Sequence, residues 1–367
     1  MARRHLHLFE HITDFGALHA AALRAARGKR HKPRVARFLA DLEPELLRLQ
    51  RELREGDWQP GGYTVFVVNE RKPRQISAAP FRDRVVHQAL CAVIAPIFER
   101  GFVADTYASI RGRGTHRAVA RYEQLRDRHR YVLRADVYRY FPSIDHAILK
   151  ADLRRRIACP QTLWLCDTII DGSNAQEPVE LYFPGDDLFS PFARRRGLPI
   201  GNLTSQLFGN FYLDRLDHFA RERLRAPGLR YLDDIVLFAN DPAQVEGWQA
   251  EMIRYLAARR LCLHPDKTRV LDTRRPAEFL GYVLGPGGLR RLPQENVQGC
   301  CRRLRGFRDR WRAGARDAEA VRRSLLAWIA HARHAHTEGL RHALFRGGWF
   351  DPRWHDGRGV CRDEDSG

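Results

Sequence analysis

The sequence contains no hydrophobic run long enough to cross a bilayer, and this absence argues against a membrane-spanning helix. Its longest uncharged apolar run covers residues 89–98, includes Pro96 and falls far short of the ~20 residues that a span needs. The basic start of the chain is not followed by the apolar stretch of a signal peptide, because Arg24, Arg27 and Lys29 interrupt the alanine-rich segment. We therefore expect a protein that has no membrane partner.

Cysteine is scarce and irregularly spaced. The seven residues match neither a disulfide framework nor the CxxC pairs of zinc sites: Cys91, Cys159, Cys166, Cys262, Cys300, Cys301 and Cys361. Internal repeats and low-complexity segments are also absent, which argues against solenoids and propellers. A chain of 367 residues with 44% hydrophobic residues can nevertheless bury a sizeable core. These features predict one interlocked globular protein of the reducing cytoplasm.

Acidic residues are outnumbered, since 44 Asp and Glu against 63 Lys and Arg leave a formal net charge of +19. Such an excess favours a polyanionic partner, because arginine forks bind phosphate oxygens in pairs and each neutralised phosphate releases counterions. The alternative is a basic surface that serves solubility alone. The same two interpretations apply to residues 302–323, where nine arginines in a helical stretch form either a nucleic-acid-binding face or a solvated one.

Hydrophobic patterning predicts a mixture of helices and strands, an α+β arrangement. Helices are expected over residues 15–55, 81–98, 203–224, 245–256 and 296–346. Strand-like runs cover residues 63–69 and 131–137, whereas residues 184–201 contain too much Pro and Gly for a regular element. Two further β-type runs, 229–232 and 235–239, are separated by Asp233 and Asp234, which is the pattern of a tight hairpin with acids at its tip.

Three carboxylates stand in or beside strand-like runs, where they are ordinarily disfavoured: Asp136, Asp233 and Asp234. Strands that lie side by side would bring them together, and clustered carboxylates repel one another unless a cation lies between them. Oxygen ligands of this kind suit Mg²⁺ bridged to phosphates, and two such ions can promote the displacement of pyrophosphate by a hydroxyl. The alternative is that Asp233 and Asp234 form only a polar turn.

Further motifs surround these acids in a fixed order. They are Arg134-Ala-Asp-Val-Tyr-Arg-Tyr-Phe-Pro-Ser143, Gly197-Leu-Pro-Ile-Gly-Asn-Leu-Thr-Ser-Gln206 and Tyr231-Leu-Asp-Asp234, followed by Leu263-His-Pro-Asp-Lys-Thr268 and Glu278-Phe-Leu-Gly-Tyr282. Upstream lie Lys72-Pro-Arg-Gln-Ile76 and Phe81-Arg-Asp-Arg-Val-Val-His87. In order and spacing these segments resemble the palm and fingers motifs of reverse transcriptases, the last palm segment being similar to the primer grip. The similarity covers about residues 1–345.

The resemblance implies a catalytic role for the three aspartates. Asp136 and Asp233 would bind a pair of Mg²⁺ ions together with the Val137 carbonyl, and Asp234 would be a further ligand or a structural neighbour of the metal site. The primer grip would consist of Phe279, Leu280, Gly281 and Tyr282. The alternative is that these four residues belong only to the core of a strand, which would give the same sequence pattern.

Nucleotide binding is implied for six residues: Lys72, Arg74, Phe141, Gly201, Gln206 and Lys267. Arg74 and Lys72 would bind the triphosphate, because guanidinium and ammonium groups pair with phosphate oxygens. Phe141 would exclude a 2′-hydroxyl, Gly201 and Gln206 would shape the surface beneath the nascent base pair, and Lys267 would neutralise or protonate the leaving pyrophosphate. Each also has an ordinary structural alternative, namely a core phenylalanine, a simple turn or a solvated surface charge.

The resemblance further implies an α+β right-hand polymerase fold with fingers, a palm that contains an antiparallel sheet, and a short helical thumb. The fingers would take residues 1–130 with an N-terminal helical extension, and the palm 131–145 and 196–285. Residues 146–195 would form a fingers or palm insertion, 286–346 the thumb and 347–367 a C-terminal tail. The implied partners are an RNA template, a DNA or RNA primer and deoxynucleoside triphosphates.

Two details resemble the reverse transcriptases of diversity-generating retroelements: Ile200-Gly201 and Ser205-Gln206. That group implies cDNA synthesis that is error-prone at template adenines, with a structured RNA and a small helical accessory protein. Leu232 departs from the usual Met or Val, and the long loop over residues 182–196 resembles unclassified relatives. The alternatives are therefore a defence-associated (antiphage) or unclassified bacterial reverse transcriptase and, in another class, a catalytically idle RNA-binding scaffold. The intact aspartates argue against the scaffold.

Overall fold

The chain divides into two units, each assembled from two separate stretches of sequence. The first comprises the described parts of Met1–Gly114 and Leu133–Val270, and the second those of Thr115–Val132 and Leu271–Gly367. The computed structural model describes residues 4–69, 73–173, 181–314 and 318–346. Lys72 and the predicted tail, residues 347–367, lie outside these ranges.

Helices account for most of the described chain. They are α1 (Phe9–Thr13), α2 (Phe15–Ala26), α3 (Pro33–Ala40), α4 (Leu42–Glu55), α5 (Phe81–Glu99), α6 (Thr115–Arg126), α7 (Tyr140–Ser143), α8 (His146–Arg156), α9 (Pro160–Asp171), α10 (Ser190–Ala193), α11 (Leu203–His218), α12 (Pro242–Ala258), α13 (Gln294–Arg312), α14 (Ala318–Ala332) and α15 (Glu338–Phe345). The strands are β1 (Thr64–Asn69), β2 (Pro73–Ala78), β3 (Tyr131–Asp136), β4 (Gly228–Tyr231), β5 (Asp234–Ala239), β6 (Arg269–Asp272), β7 (Ala277–Phe279), β8 (Tyr282–Gly285) and β9 (Leu289–Arg291).

The helix predicted over residues 81–98 is confirmed as α5, which forms part of the core of the first unit. It buries apolar side chains on most of its surface and continues through Pro96 for one further turn. The Phe98 ring stacks on Phe211 of α11 with 4.1 Å between the ring centroids. Because burying such a side chain contributes roughly 1.5–3 kcal/mol, this contact helps to hold α11 against α5.

A four-stranded sheet in the order β4-β5-β3-β6 contains the acidic residues identified in the sequence. The predicted hairpin is confirmed, since β4 and β5 pair antiparallel with Tyr231 opposite Asp234. Leu232 and Asp233 therefore form its two-residue turn. From Ile235 onward β5 is buried, so the packing of this strand fixes the position of the turn that precedes it.

Two smaller antiparallel sheets complete the strand content of the described chain. The first pairs the predicted strand β1 with β2, and the second runs in the order β7-β8-β9. In the second unit, Tyr122 of α6 stacks on Phe279 at 4.6 Å, and the Glu123 carboxylate binds the guanidinium of Arg290. The helix α6 therefore packs against the small sheet β7-β8-β9, which lies about 150 residues later in the sequence.

The prediction that residues 184–201 lack regular structure is wrong at Ser190–Ala193, which form α10. Pro191 occupies the first turn of this helix, a position where the missing N–H and the fixed φ of proline are compatible with helix. The six cysteines within the described ranges are all free. No helix in those ranges combines the length and the apolar character that crossing a membrane requires.

Candidate active site

The three predicted acids lie together at one end of the two inner strands of the four-stranded sheet. Asp136 is the last residue of β3, Asp234 is the first residue of the neighbouring β5, and Asp233 lies in the turn before it. The backbone N–H of Val137 donates to the Asp233 carbonyl at 3.3 Å, which ties the end of β3 to this turn. The clustering expected from the two strand-like runs is therefore present in the structure.

Lys267 forms an ion pair with the first of these acids. Its Nζ donates to Oδ1 of Asp136 at 2.8 Å, while the lysine side chain stays 47% exposed. The backbone positions this pair, because the His264 N–H donates to the Asp136 carbonyl at 2.7 Å and Val137 bridges to Leu263. The segment that carries Lys267 is thus fixed against the end of β3.

The carboxylates perturb one another electrostatically. Burial, followed by the charges of Asp234 and Asp136, raises the pKa of Asp233 to about 7. Burial and then the charge of Asp136 also raise the pKa of Asp234, against the opposing effects of Arg134 and Lys267. The site therefore holds more negative charge than its basic neighbours neutralise, and an added cation would stabilise the ionised forms.

The chemistry of this donor set fits a divalent cation. Carboxylate and carbonyl oxygens are the ligands that Mg²⁺ prefers. Asp136, Asp233 and the Val137 carbonyl supply both kinds, and the hydrogen bond from Val137 N–H to the Asp233 carbonyl joins the two segments that carry them. Across the residues that the structure describes, no three His, Cys, Asp or Glu side chains already converge on a single point. Asp136 instead has the Lys267 ammonium as its counter-charge.

A buried arginine behind the turn was not identified from the sequence. Arg230 of β4 is 1% exposed, and its guanidinium binds Asp217 of α11 through Nε and Nη2, both at 2.7 Å. Its remaining N–H groups donate to the side chain and carbonyl of Asn210 and to the Leu232 carbonyl at 2.9 Å. Thr106 donates a further bond to Asp217 at 2.7 Å. All five donors of the guanidinium are therefore satisfied.

The Leu232 carbonyl that Arg230 binds belongs to a strained residue. Leu232 has φ of +60°, a left-handed conformation that costs a non-glycine residue roughly 1–2 kcal/mol. Such strain persists only where neighbouring contacts enforce it. Because Leu232 directly precedes Asp233, the bond from Arg230 helps to fix the position of that carboxylate.

Arg74 lies in β2 of the two-stranded sheet, opposite Val68 of β1. Its positive charge is close enough to Asp234 to oppose the rise in the pKa of that carboxyl. The structure thus brings Arg74 near enough to the acidic cluster for its charge to act on Asp234. The paired candidate, Lys72, is outside the described residues.

Phe141 is in α7, five residues after Asp136, and is 8% exposed. Its ring packs on Gly209 of α11, where an added Cβ would lie 3.2 Å from Phe141 Cε1. The Leu198 N–H donates to the Phe141 carbonyl at 2.9 Å, which joins α7 to the loop before α11. The ring is therefore held in one position, as either a steric gate or a core residue requires.

Gly201 and Gln206 belong to the loop and helix start that follow. Gly201 has φ of +111°, and a Cβ there would lie 2.8 Å from Ile76 Cγ2. The Ser77 N–H donates to the Ile200 carbonyl at 2.9 Å, so this loop is fixed against β2. Gln206 accepts a bond from Ser109 at 3.3 Å. Within the described chain, a side chain at position 201 would thus collide with Ile76 of β2.

We expect Gly201→Ala to destabilise the first unit by roughly 1–3 kcal/mol, because alanine disfavours positive φ and its methyl group would overlap Ile76. Thermal unfolding measures the effect. The matched control is Gly247→Ala in α12, where the added Cβ meets open space and alanine should stabilise the helix slightly. Equal melting temperatures for wild type and Gly201→Ala would contradict the prediction.

The four predicted primer-grip residues lie in the second unit. Phe279 and Tyr282 are opposite each other at the ends of β7 and β8, and both side chains are buried. Leu280 and Gly281 form the turn between them with φ of +46° and +83°, the pattern of a type I′ hairpin. The Tyr282 hydroxyl donates to the His331 carbonyl at 3.1 Å. The side chains of Phe279 and Tyr282 thus form core contacts, and the turn is the exposed part of the segment.

Comparison with known proteins agrees with this geometry. The family model described as "Reverse transcriptase (RNA-dependent DNA polymerase)" matches residues 68–284, more than half of the chain. The match includes Asp136, Asp233, Asp234 and Lys267. The chain is also 27% identical over 286 residues to Protein YkfC of Escherichia coli (strain K12), a similarity that covers 67% of this chain and 72% of that protein. The chain belongs to the reverse transcriptase family, and it is an RNA-directed DNA polymerase, a nucleotidyltransferase.

Proposed function

We propose that this chain makes cDNA by two-metal nucleotidyl transfer and that Asp136, Asp233 and Asp234 are its catalytic residues. The observation that carries the proposal is the clustering of these three acidic residues at one end of β3 and β5, where burial and the charge of Asp136 raise the pKa of Asp233 and of Asp234. Two bound Mg²⁺ ions would activate the primer 3′-hydroxyl and stabilise the leaving pyrophosphate. Asp136, Asp233 and the Val137 carbonyl would hold the ions, with Asp234 as a further ligand or neighbour.

The surrounding residues would bind and orient the nucleotide. Arg74, together with Lys72, would pair with the triphosphate. Lys267 Nζ, which donates to Asp136, would hold a proton near the leaving phosphate. Gly201 and Gln206 would shape the loop and helix start beneath the new base pair. The turn formed by Leu280 and Gly281, between Phe279 and Tyr282, would contact the primer.

We further propose the right-hand layout for the chain as a whole. The palm would comprise residues 131–145 and 196–285, and it contains the described β3, β4 and β5 with the acidic cluster. The fingers would comprise residues 1–130, with 146–195 as an insertion, and the thumb residues 286–346. The described part of this thumb begins with the short strand β9 and is otherwise mainly helical, in α13, α14 and α15.

Phe141 is proposed to select the deoxyribose sugar. We expect Phe141→Ala to raise ribonucleotide incorporation relative to deoxynucleotide incorporation by about 10–200-fold, the range that a single steric contact can supply. Primer extension with each nucleotide class measures the ratio. The control is Phe208→Ala in α11, a fully buried position whose loss should lower stability but leave sugar selection unchanged. A selection ratio that shifts equally in both variants would assign Phe141 to the core alone.

We also propose that the chain works in a diversity-generating retroelement, with a structured RNA, a small helical accessory protein and errors concentrated at template adenines. The support for this narrower assignment is the identity of the residues at two places, Ile200-Gly201 in the loop and Ser205-Gln206 at the start of the helix. The observation that favours an unclassified enzyme is the long segment at residues 182–196. In it the Asp186 carboxylate accepts a hydrogen bond from the Phe183 N–H, and the Asp187 carboxylate accepts one from the Ser190 N–H.

The deciding experiment incubates the purified protein with a primed RNA, Mg²⁺ and deoxynucleotides, beside an Asp233→Ala control, and sequences every product. Extension that is lost in the control and carries errors opposite template adenines would support the retroelement assignment. Accurate or template-independent products would favour the defence enzyme. Absence of extension under all conditions, with cellular RNA and partners added, would favour the RNA-binding scaffold.

A further inference from the structure

A second charged site lies in the first unit, away from the acidic cluster. It is a cleft of about 550 Å³ between the N-terminal segment, α8 and α11, and we call it the arginine cleft. Four guanidinium groups line it, from Arg4, Arg155, Arg156 and Arg215. None of the catalytic candidates lines this cleft. Asp214 and Arg215 of α11 line the cleft. Two other residues of the same helix, Asn210 and Asp217, bind Arg230 instead.

The four guanidinium groups have unused hydrogen-bonding capacity. None of them donates a hydrogen bond to any residue in the described ranges, in contrast to the five satisfied donors of Arg230. Their ion pairs are long, with Arg155 at 3.7 Å and Arg215 at 3.8 Å from Asp152. The short bond of Asp152, at 2.6 Å, goes to the buried Arg259 instead. The arginine side chains at 155 and 215 remain about half exposed.

Cationic charge exceeds anionic charge in the cleft. The carboxylates that line it are Asp152, already bound by Arg259, and Asp214, whose nearest guanidinium nitrogen is 4.0 Å away on Arg156. Burial raises the pKa of Asp214 to about 6, so this carboxyl is still mostly ionised at neutral pH and offsets one of the four guanidinium charges. Guanidinium groups with free N–H donors are the side chains best matched to phosphate oxygens.

The cleft suits a nucleic-acid backbone better than a nucleotide base. Its aromatic residue, Phe211, is 6% exposed and already stacked on Phe98, so it has no ring face open to a base. Backbone phosphates need only the guanidinium forks and make no demand for base stacking. We propose that the arginine cleft binds phosphates of the RNA backbone at a site separate from the one where nucleotides are joined.

The test compares two double variants of the full chain by fluorescence anisotropy with a short labelled single-stranded RNA. In Arg155→Gln/Arg215→Gln the cleft loses two guanidinium groups, and we expect affinity to fall roughly tenfold. The dependence of log affinity on log salt should become shallower by about 1.4, that is about 0.7 for each lost phosphate contact. The control, Arg48→Gln/Arg254→Gln, removes the same charge from two exposed arginines that pair with surface glutamates.

An affinity and salt slope that match those of the control would overturn the proposal. A cleft variant that keeps RNA affinity but loses binding of ATP, measured by equilibrium dialysis without RNA, would also overturn it, because the occupant would then be a nucleotide. Thermal unfolding checks that both variants are folded. The proposal extends the polymerase function but is tested by binding alone, so failure of wild-type primer extension would count only against the polymerase assignment.

Discussion

Asp233→Asn should abolish primer extension while leaving the protein folded. If Asp233 binds metal as proposed, its loss removes several kcal/mol of transition-state stabilisation, which corresponds to a rate lower by roughly a thousandfold. Asp136→Asn should have an effect of similar size. Single-turnover extension of a primed RNA at saturating Mg²⁺ measures both rates. Asp266→Asn is the matched control, because Asp266 is exposed and lies next to Lys267.

The same substitution should not reduce stability when metal is chelated. The pKa of Asp233 in the folded chain, about 7, is above the value of about 3.9 for an unfolded chain. Its carboxyl therefore favours folding below about pH 4, and that contribution is lost as the pH rises through 7. At pH 8 Asp233→Asn should melt at the wild-type temperature or above it. A variant that loses activity because it unfolds would contradict this account.

Replacing Arg230 should cost both stability and activity. In Arg230→Gln the nearly buried Asp217 carboxylate loses its guanidinium partner and retains the Thr106 hydroxyl as a donor. Breaking such an ion pair typically destabilises a fold by about 3–5 kcal/mol. The Leu232 carbonyl also loses its donor, so the strained turn before Asp233 is less well fixed. Denaturant unfolding and extension kinetics measure the two effects.

A double variant separates positioning from stability. Arg230→Met/Asp217→Leu replaces the ion pair with apolar side chains, and such replacements are often neutral or stabilising. We expect it to recover most of the lost stability but to keep a low kcat with a KM for deoxynucleotide near that of the wild type. Recovery of kcat in step with stability would show that Arg230 serves the fold alone.

The sequence was sufficient to predict the acidic edge of the palm because the local signals there are strong. Asp136 ends an apolar run, and Asp233 and Asp234 separate two others, so strand and turn could both be recognised. The strand β2 was missed, since Pro73, Arg74 and Gln75 conceal the alternation that identifies a strand. The pairing of Lys267 with Asp136 joins residues 131 positions apart, and no period in the sequence encodes such a contact.

Arginines were the least predictable part of the site. Arg230 is a charge within a short β-type run, which is the same signal that identified Asp136, but it was one of 63 basic residues. Arg155 and Arg156 stand in a basic helix end that could equally be a solvated face. Whether a guanidinium is saturated, as in Arg230, or open, as in the arginine cleft, depends on tertiary neighbours that the sequence does not specify.

The split origin of the second unit has a consequence for how the chain folds during synthesis. The helix α6 leaves the ribosome long before its partners, since Glu123 precedes Arg290 by 167 residues. At 5–20 residues per second, α6 waits roughly 10–30 s for β7 and β9 to emerge. During that interval the ring of Tyr122 lacks the Phe279 face on which it stacks. The packing of α6 in the second unit therefore forms only after the C-terminal part of the chain has been synthesised.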